Sequence, residues 1–183
     1  MSTDFIESNP SLTPGRHPSD SAVQRAIEVA MLKRLEASHP EWVRVDWSTT
    51  SKELGLPLVW QQAQPDAVWH SGPGQLVVAE CYCRIGVLEA GHRRKLALDA
   101  LKLVTMRGQT PDPSRLRCLL VVPEELAGRL AGEGWFSVAI QASAELVPVV
   151  LSDDERGRLF EATRLQAAGQ ARSPRPANGG RPE

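Results

Sequence analysis

The pattern of apolar and polar positions predicts helices and strands that alternate along the middle of the chain. Apolar residues recur at helical spacing over residues 21–38, 92–106 and 153–168, so we predict a long helix in each range. Alternating or continuous apolar runs predict strands, the clearest of which covers residues 76–84. The other predictions are strands at 41–47, 65–69, 115–122, 134–141 and 145–151, a short helix at 123–131, and a strand or extended loop at 56–60. This order predicts an α/β fold in which helices flank one mixed central sheet on both faces.

The two ends of the chain differ from this middle part in composition. Residues 1–19 are rich in Ser, Pro and Thr, and residues 169–183 are rich in Pro, Gly and Arg. We therefore predict a disordered arm and a disordered basic tail around a single domain at 20–168.

Cysteine usage and the lack of targeting patterns predict a cytoplasmic protein. The chain has three cysteines, an odd number, and Cys81 and Cys83 stand two positions apart in one strand, where they are poor disulfide partners. We expect free, buried thiols in a reducing compartment. The N-terminal residues show no signal-peptide pattern and no apolar run approaches a membrane helix in length, so we expect no membrane contact.

The strand at 76–84 carries one acidic residue, Glu80, among apolar neighbours. The even-numbered residues of the strand share one face with Glu80, whereas the odd-numbered residues from Val77 to Cys83 are small and apolar and should be buried under a helix. A carboxylate in so apolar a strand is costly unless it is paired with a charge or bound to a metal. Glu80 is therefore the first candidate for a functional residue.

A second carboxylate, Asp66, precedes this strand by one turn. If the strands at 65–69 and 76–84 form a hairpin, Asp66 and Glu80 converge at one end of the sheet. Two nearby carboxylates repel each other unless a cation lies between them, and oxygen-only ligands favour Mg²⁺ or Mn²⁺ over zinc. Such an ion can activate water and stabilise the charge that develops on a phosphodiester.

The succession of Pro65-Asp66, residues 67–79 and Glu80-Cys81-Tyr82 resembles the motif of the PD-(D/E)XK nucleases. The resemblance covers about residues 21–122 and implies a restriction-endonuclease-like αβββαβ core that acts on DNA. It also implies that Asp66 and Glu80 bind Mg²⁺ or Mn²⁺, with Glu28 of the first helix as a possible third ligand. A bacterial restriction, repair or defence setting is what the resemblance implies for the biology.

The chain departs from that motif at position 82, where Tyr82 stands in place of the lysine that helps to activate the attacking water. Some members of the superfamily carry this lysine on the following helix, where Lys95 and Lys102 lie on one polar stripe here. We favour Lys95 as the replacement because it is nearer the helix start. The predicted catalytic residues are thus Asp66, Glu80 and Lys95, with Tyr82 as a hydrogen-bond donor to a phosphate or water.

The helix predicted at 92–106 is also the most basic part of the folded chain. Residues 91–107 contain five basic residues and one acidic residue, a net charge of +4, whereas the whole chain has a net charge of −1. The overall charge excludes a protein that coats DNA through its total charge, so contact with phosphates must come from a local patch. Arg93, Arg94 and Lys102 are the predicted DNA-binding residues.

Each of these residues also has a plainer interpretation. Asp66 is equally consistent with a turn or strand-edge residue, and Glu80 with a salt bridge to Lys95 or Arg84. Tyr82 is typical of a half-buried strand tyrosine. Two further hypotheses about function stay open: a nuclease fold that has lost catalysis and binds nucleic acid or a protein partner, and a small structural or assembly subunit. A protein partner or a homodimer stays open as well. A tryptophan next to Pro65-Asp66, Trp60 or Trp69, is a candidate for stacking on a base.

Overall fold

The computed structural model describes residues 22–171 and contains seven α-helices and five strands within that range. The predicted arm and most of the predicted tail lie outside the described residues. In chain order the elements are α1 (Ala22–Ser38), β1 (Val43–Arg44), α2 (Trp47–Glu53), α3 (Leu58–Gln61), β2 (Ala67–Gly72), β3 (Gln75–Cys81), α4 (Ala90–Gln109), a 3₁₀ turn (Pro113–Arg115), β4 (Leu116–Pro123), α5 (Glu124–Leu130), α6 (Trp135–Ser143), β5 (Glu145–Val149) and α7 (Asp153–Ala171).

The five strands form one mixed sheet in the order β1-β2-β3-β4-β5. The pairs β1–β2 and β2–β3 are antiparallel, whereas β3–β4 and β4–β5 are parallel. The hairpin predicted between β2 and β3 is confirmed, and Ala67 pairs with Ala79 in it. Gly74 has a φ of 71°, a left-handed conformation that glycine adopts without strain, and it closes the turn between the two strands.

The two faces of the sheet are covered by different helices, as the alternation in β3 predicts. Leu76, Val78 and Tyr82 pack into one core with buried residues of α4, α5 and α6. The odd-numbered residues of β3 pack into a second core with buried residues of α1 and α7. The predicted α/β class and the flanking of a mixed sheet by helices are therefore confirmed.

The prediction of a strand at 134–141 is wrong, because Trp135–Ser143 forms helix α6. Aromatic and β-branched residues in this segment favour a strand by local propensity. The buried positions, however, are Ser137, Ile140 and Ala144, whose spacing of three and four residues matches a helix face. Packing of that face against α4, α5 and β5 decides the structure.

The segment between the first two strands is also more helical than predicted. The strand predicted at 41–47 is reduced to Val43–Arg44, because the side chain of Asp46 accepts a hydrogen bond from the amide of Thr49 and starts α2. Residues 56–60, predicted as a strand or loop, include the start of the one-turn helix α3. These two helices lie between β1 and β2, and Trp47 and Leu56 anchor the segment in the core.

Two further observations bear on the remaining predictions. The three cysteines are free and buried. Within residues 22–171 the structure has no helix that is both long enough and apolar enough to span a membrane.

Candidate functional site

Asp66 and Glu80 lie at the end of the β2–β3 hairpin where β3 finishes. Ala67 and Ala79 are paired, so the antiparallel register puts Asp66 opposite Glu80, one position further along. Asp66 also accepts a hydrogen bond from the amide of Cys81, the residue next to Glu80, and its charge acts on Glu80. The fold brings the two carboxylates together as the sequence predicts.

At this end of β3, two carboxylates accept the backbone hydrogen bonds that a longer β2 would accept. Strand β2 begins at Ala67, so the amides of Cys81 and Cys83 have no β2 carbonyl opposite them. Asp66 Oδ2 accepts a hydrogen bond from the Cys81 amide at 2.8 Å, and Glu28 Oε1 accepts one from the Cys83 amide at 3.4 Å. Both acids thus have a structural role, since buried backbone amides need acceptors.

The buried carboxylate of Glu80 is paired with Lys102 of α4. Only 4% of Glu80 is exposed, and the Lys102 ammonium lies 2.5 Å from Glu80 Oε1. The same ammonium donates a hydrogen bond to the Gln64 carbonyl at 2.6 Å, so Lys102 contacts both groups. The contact expected from Lys95 is thus made by Lys102. Helix α4 runs antiparallel to β3, so Lys102, which is further along the helix than Lys95, lies over Glu80, which precedes Tyr82 in the chain.

Lys95 lies instead above the residue that occupies the lysine position of the motif. Its ammonium is 5.3 Å from the ring centroid of Tyr82, within the range of a cation–π contact. The same ammonium donates a 2.8 Å hydrogen bond to Asp99 Oδ2. Asp99 is therefore a further member of the cluster. Its place on the stripe between Lys95 and Lys102 is the signal that indicates its membership.

Four acids and two lysines therefore crowd one end of the sheet. Burial raises the pKa of Glu80 to about 7 although Lys102 acts to lower it, and burial raises the pKa of Glu28 to about 7. Burial also raises the pKa of Asp99, against the effect of Lys95. Nearby Asp66 adds repulsion to all three carboxyls. A cluster of this kind holds excess negative charge that an added cation would relieve.

The donor chemistry of the cluster fits a hard divalent cation held by two carboxylates. Asp66 and Glu80 offer only oxygen ligands, and the Lys102 ammonium already contacts Glu80 Oε1 at 2.5 Å. In the part of the chain that the structure describes, no group of three or more His, Cys, Asp or Glu side chains is arranged around one ion position. Mg²⁺ commonly uses one or two carboxylates and completes its shell with water and substrate phosphate. Glu28, which accepts from the Cys83 amide, remains outside this pair.

The other predicted residues belong to three elements, α3, β2 and α4. Arg93 and Arg94 are exposed in the first turn of α4. His92 accepts a hydrogen bond at Nδ1 from the Glu89 amide and helps to cap the helix start. Trp69 is fully buried, which excludes it as a platform for a base, and Trp60 packs against the core.

Comparisons with protein-family models, with curated proteins and with solved structures find no match to this chain.

Proposed function

We propose that this protein is a divalent-cation-dependent phosphodiesterase of the PD-(D/E)XK type that acts on DNA. One observation carries the proposal: Asp66 and Glu80 are opposite each other across one hairpin, and α4 adds lysine ammonium groups beside them. Carboxylates and ammonium groups in one cluster are the parts that phosphodiester hydrolysis requires.

The arrangement of elements supports a restriction-endonuclease-like core. Helix α1, strands β1–β3, helix α4 and strand β4 follow the αβββαβ order that the resemblance implies, apart from the short helices α2 and α3. Strands β1–β3 are antiparallel neighbours, and β4 is parallel to β3. The acids stand at the end of β3 from which the chain passes into α4.

The residues of the cluster have separate roles in this proposal. Asp66 and Glu80 would hold the cation, which when bound supplies Lewis-acid stabilisation of the charge on the phosphodiester. Lys95, held by Asp99 and by the ring of Tyr82, places an ammonium where the motif lysine is missing and donates to the attacking water or to the phosphate. Burial raises the pKa of Tyr82 to about 12, so its phenol stays protonated and is able to donate a hydrogen bond. Arg93 and Arg94 attract the phosphate backbone.

A second candidate function is DNA binding without catalysis. The ion pair between Lys102 and Glu80 favours it, because an internal ammonium already balances the charge that a metal ion would balance. Tyr82 at the lysine position favours it as well. This candidate and the enzyme differ in whether the cluster binds a metal and whether the DNA is cut.

Removal of divalent cations is expected to abolish cleavage of DNA by the purified protein. Linear, circular and single-stranded DNA would be incubated with Mg²⁺, with Mn²⁺ or with EDTA, and the products would be separated by electrophoresis. Cleavage with either cation and none in EDTA supports the enzyme. DNA that stays intact in every condition, while the protein binds it, contradicts the proposal and favours the second candidate.

Replacing Lys95 with methionine is expected to lower the turnover rate about 100-fold or more and to leave folding unchanged. The loss of one preorganised cationic donor costs about this much in other hydrolytic sites. The side chain of Lys95 is 55% exposed, and an ion pair with one exposed partner contributes about 0–1 kcal/mol, so the variant should stay folded. Initial cleavage rates and thermal unfolding measure the two effects.

The control for this variant is Lys33→Met, which removes an exposed lysine from α1, away from the cluster. Normal activity of Lys95→Met, together with inactivity of a well-folded Lys102→Met, would assign the role of the motif lysine to Lys102 instead.

A further inference from the structure

A shallow groove lies beside the start of α4 and is separate from the carboxylate cluster. Its volume is about 380 Å³, and it lies between the β3–α4 loop, the end of α5 and the start of α6. The residues of interest in its lining are Val87, Leu88, Arg93, Arg129, Trp135 and Phe136. None of the roles described above uses the aromatic side chains of this groove.

Trp135 is the most unusual residue of the groove because 82% of it is exposed. All five tryptophans of the chain are among the described residues, and each of the other four is buried or partly buried. Phe136 makes a T-shaped contact with Trp135, with ring centroids 5.8 Å apart, and supports the indole from one side. One broad face of an aromatic ring is therefore presented to solvent from a supported position.

Two arginines border the same groove from different elements. Arg93 comes from the first turn of α4 and Arg129 comes from the last turn of α5. Arg129 donates a hydrogen bond to the carbonyl of Gly86, which ties the β3–α4 loop to α5. Among the described residues that line the groove, no side chain is a carboxylate. The groove thus combines a planar aromatic face with positive charge.

This combination matches the chemistry of a nucleotide. Any of the bases is able to stack on an aromatic side chain, and a guanidinium binds phosphate through paired hydrogen bonds. A volume of about 380 Å³ is at the small end of the range for small-ligand sites, so it suits a single nucleotide.

The groove and the carboxylate cluster lie on different sides of α4. Arg93 stands two positions before Lys95, which puts the two side chains about 160° apart around the helix. A single nucleic-acid strand contacts both the groove and the carboxylate cluster only if it passes around the beginning of α4. Arg94 is exposed there, and the helix dipole favours phosphate. The groove is therefore a second contact site for a nucleic-acid strand, separate from the carboxylate cluster.

We propose that the groove binds one unpaired nucleotide of a single-stranded nucleic acid, with the base stacked on Trp135 and the phosphate held by Arg93 and Arg129. The proposal rests on the proposed function only in that nucleic acid is the ligand, and it does not require hydrolysis. A duplex keeps its bases stacked inside, so the site discriminates single strands from duplexes of the same charge.

The test is a titration of the full chain with a short oligothymidylate in EDTA at low salt, followed by tryptophan fluorescence and by anisotropy of a labelled strand. We expect quenching of the exposed tryptophan and a Trp135→Ala variant that binds about 10-fold more weakly. Trp135→Phe should retain most of the affinity. Arg93→Gln should weaken binding and reduce the slope of log affinity against log salt by about 1.

Controls separate this site from the rest of the protein. Val138→Ala and Arg158→Gln remove an exposed apolar residue of α6 and an exposed arginine of α7, and both variants should bind as the wild type does. The titration is carried out in EDTA, where metal-dependent cleavage does not occur, so its result is independent of whether the protein cuts DNA. A duplex or an abasic strand of the same length should cause little quenching.

The proposal is overturned if Trp135→Ala binds the single strand as tightly as the wild type, or if duplex and abasic strands quench equally well. It is also overturned if Trp135→Ala abolishes self-association of the chain and leaves its affinity for the strand intact, which would make the groove a protein contact. Any of these results, combined with metal-dependent cleavage, would leave the proposed function in place.

Discussion

Asparagine in place of Asp66 is expected to abolish metal-dependent cleavage of DNA, with a loss of about 1,000-fold or more. Asp66 and Glu80 are opposite each other across the hairpin, and a cation held there, as proposed above, would stabilise the phosphodiester charge by several kcal/mol. About 4 kcal/mol of lost stabilisation corresponds to about 1,000-fold in rate. The fold should survive, since an asparagine oxygen is still able to accept the 2.8 Å hydrogen bond from the Cys81 amide.

Initial rates on plasmid DNA with Mg²⁺ and the heat of Mn²⁺ binding would be measured side by side for this variant. Asp153→Asn is the matched control, because Asp153 is exposed in the first turn of α7. We expect the control to cut and to bind metal as the wild type does. A well-folded Asp66→Asn variant that keeps a tenth of the activity would remove Asp66 from the proposed machinery.

Methionine in place of Lys102 is expected to cause the largest loss of stability among the polar residues of the cluster, about 2–3 kcal/mol near pH 8. The substitution leaves the buried Glu80 carboxylate without its cation, and breaking a buried pair from one side is strongly destabilising. Protonation of Glu80 limits the cost, because a neutral carboxyl is easier to bury.

The loss should depend on pH in a defined direction. Burial raises the pKa of Glu80 to about 7 in the folded protein, against an ordinary value of 4.5, so the folded state binds more protons between these two pH values. The free energy of unfolding therefore falls as the pH rises through this window. Removal of Lys102 raises the folded pKa of Glu80 further and extends the fall to higher pH. The variant should lose more stability near pH 8 than near pH 5.

Urea unfolding in EDTA at these two pH values would measure the effect. The double variant Glu80→Gln/Lys102→Met should regain much of the lost stability, because it leaves no unpaired charge. Lys33→Met should change the free energy of unfolding by less than about 0.5 kcal/mol. An equal loss at both pH values would show that Lys102 acts through packing and not through the charge of Glu80.

The parts of the site that could be predicted from sequence are those that depend on local periodicity. Alternation in β3 puts Glu80 on the opposite face of the sheet from its odd-numbered neighbours. The Gly-Pro-Gly turn at residues 72–74 fixes the hairpin register that puts Asp66 opposite Glu80. The polar stripe of Lys95, Asp99 and Lys102 on α4 could also be predicted, since residues three and four apart share a helix face. The strand predicted at 134–141 failed for the opposite reason. Its residues favour a strand locally, but contacts of Ile140 and Ala144 with the core select a helix.

The chain by itself therefore determined the α/β class, the hairpin with its two carboxylates and the lysine-bearing helix that follows it. Only the tertiary structure decided that Lys102 meets Glu80, that Lys95 lies over Tyr82, and that Trp135 stands exposed beside Arg93. These contacts join residues of different elements and depend on how α4 crosses β3 and packs against α6. Local periodicity specifies which side chains share a face, but it carries no information about the position and rotation of one element against another.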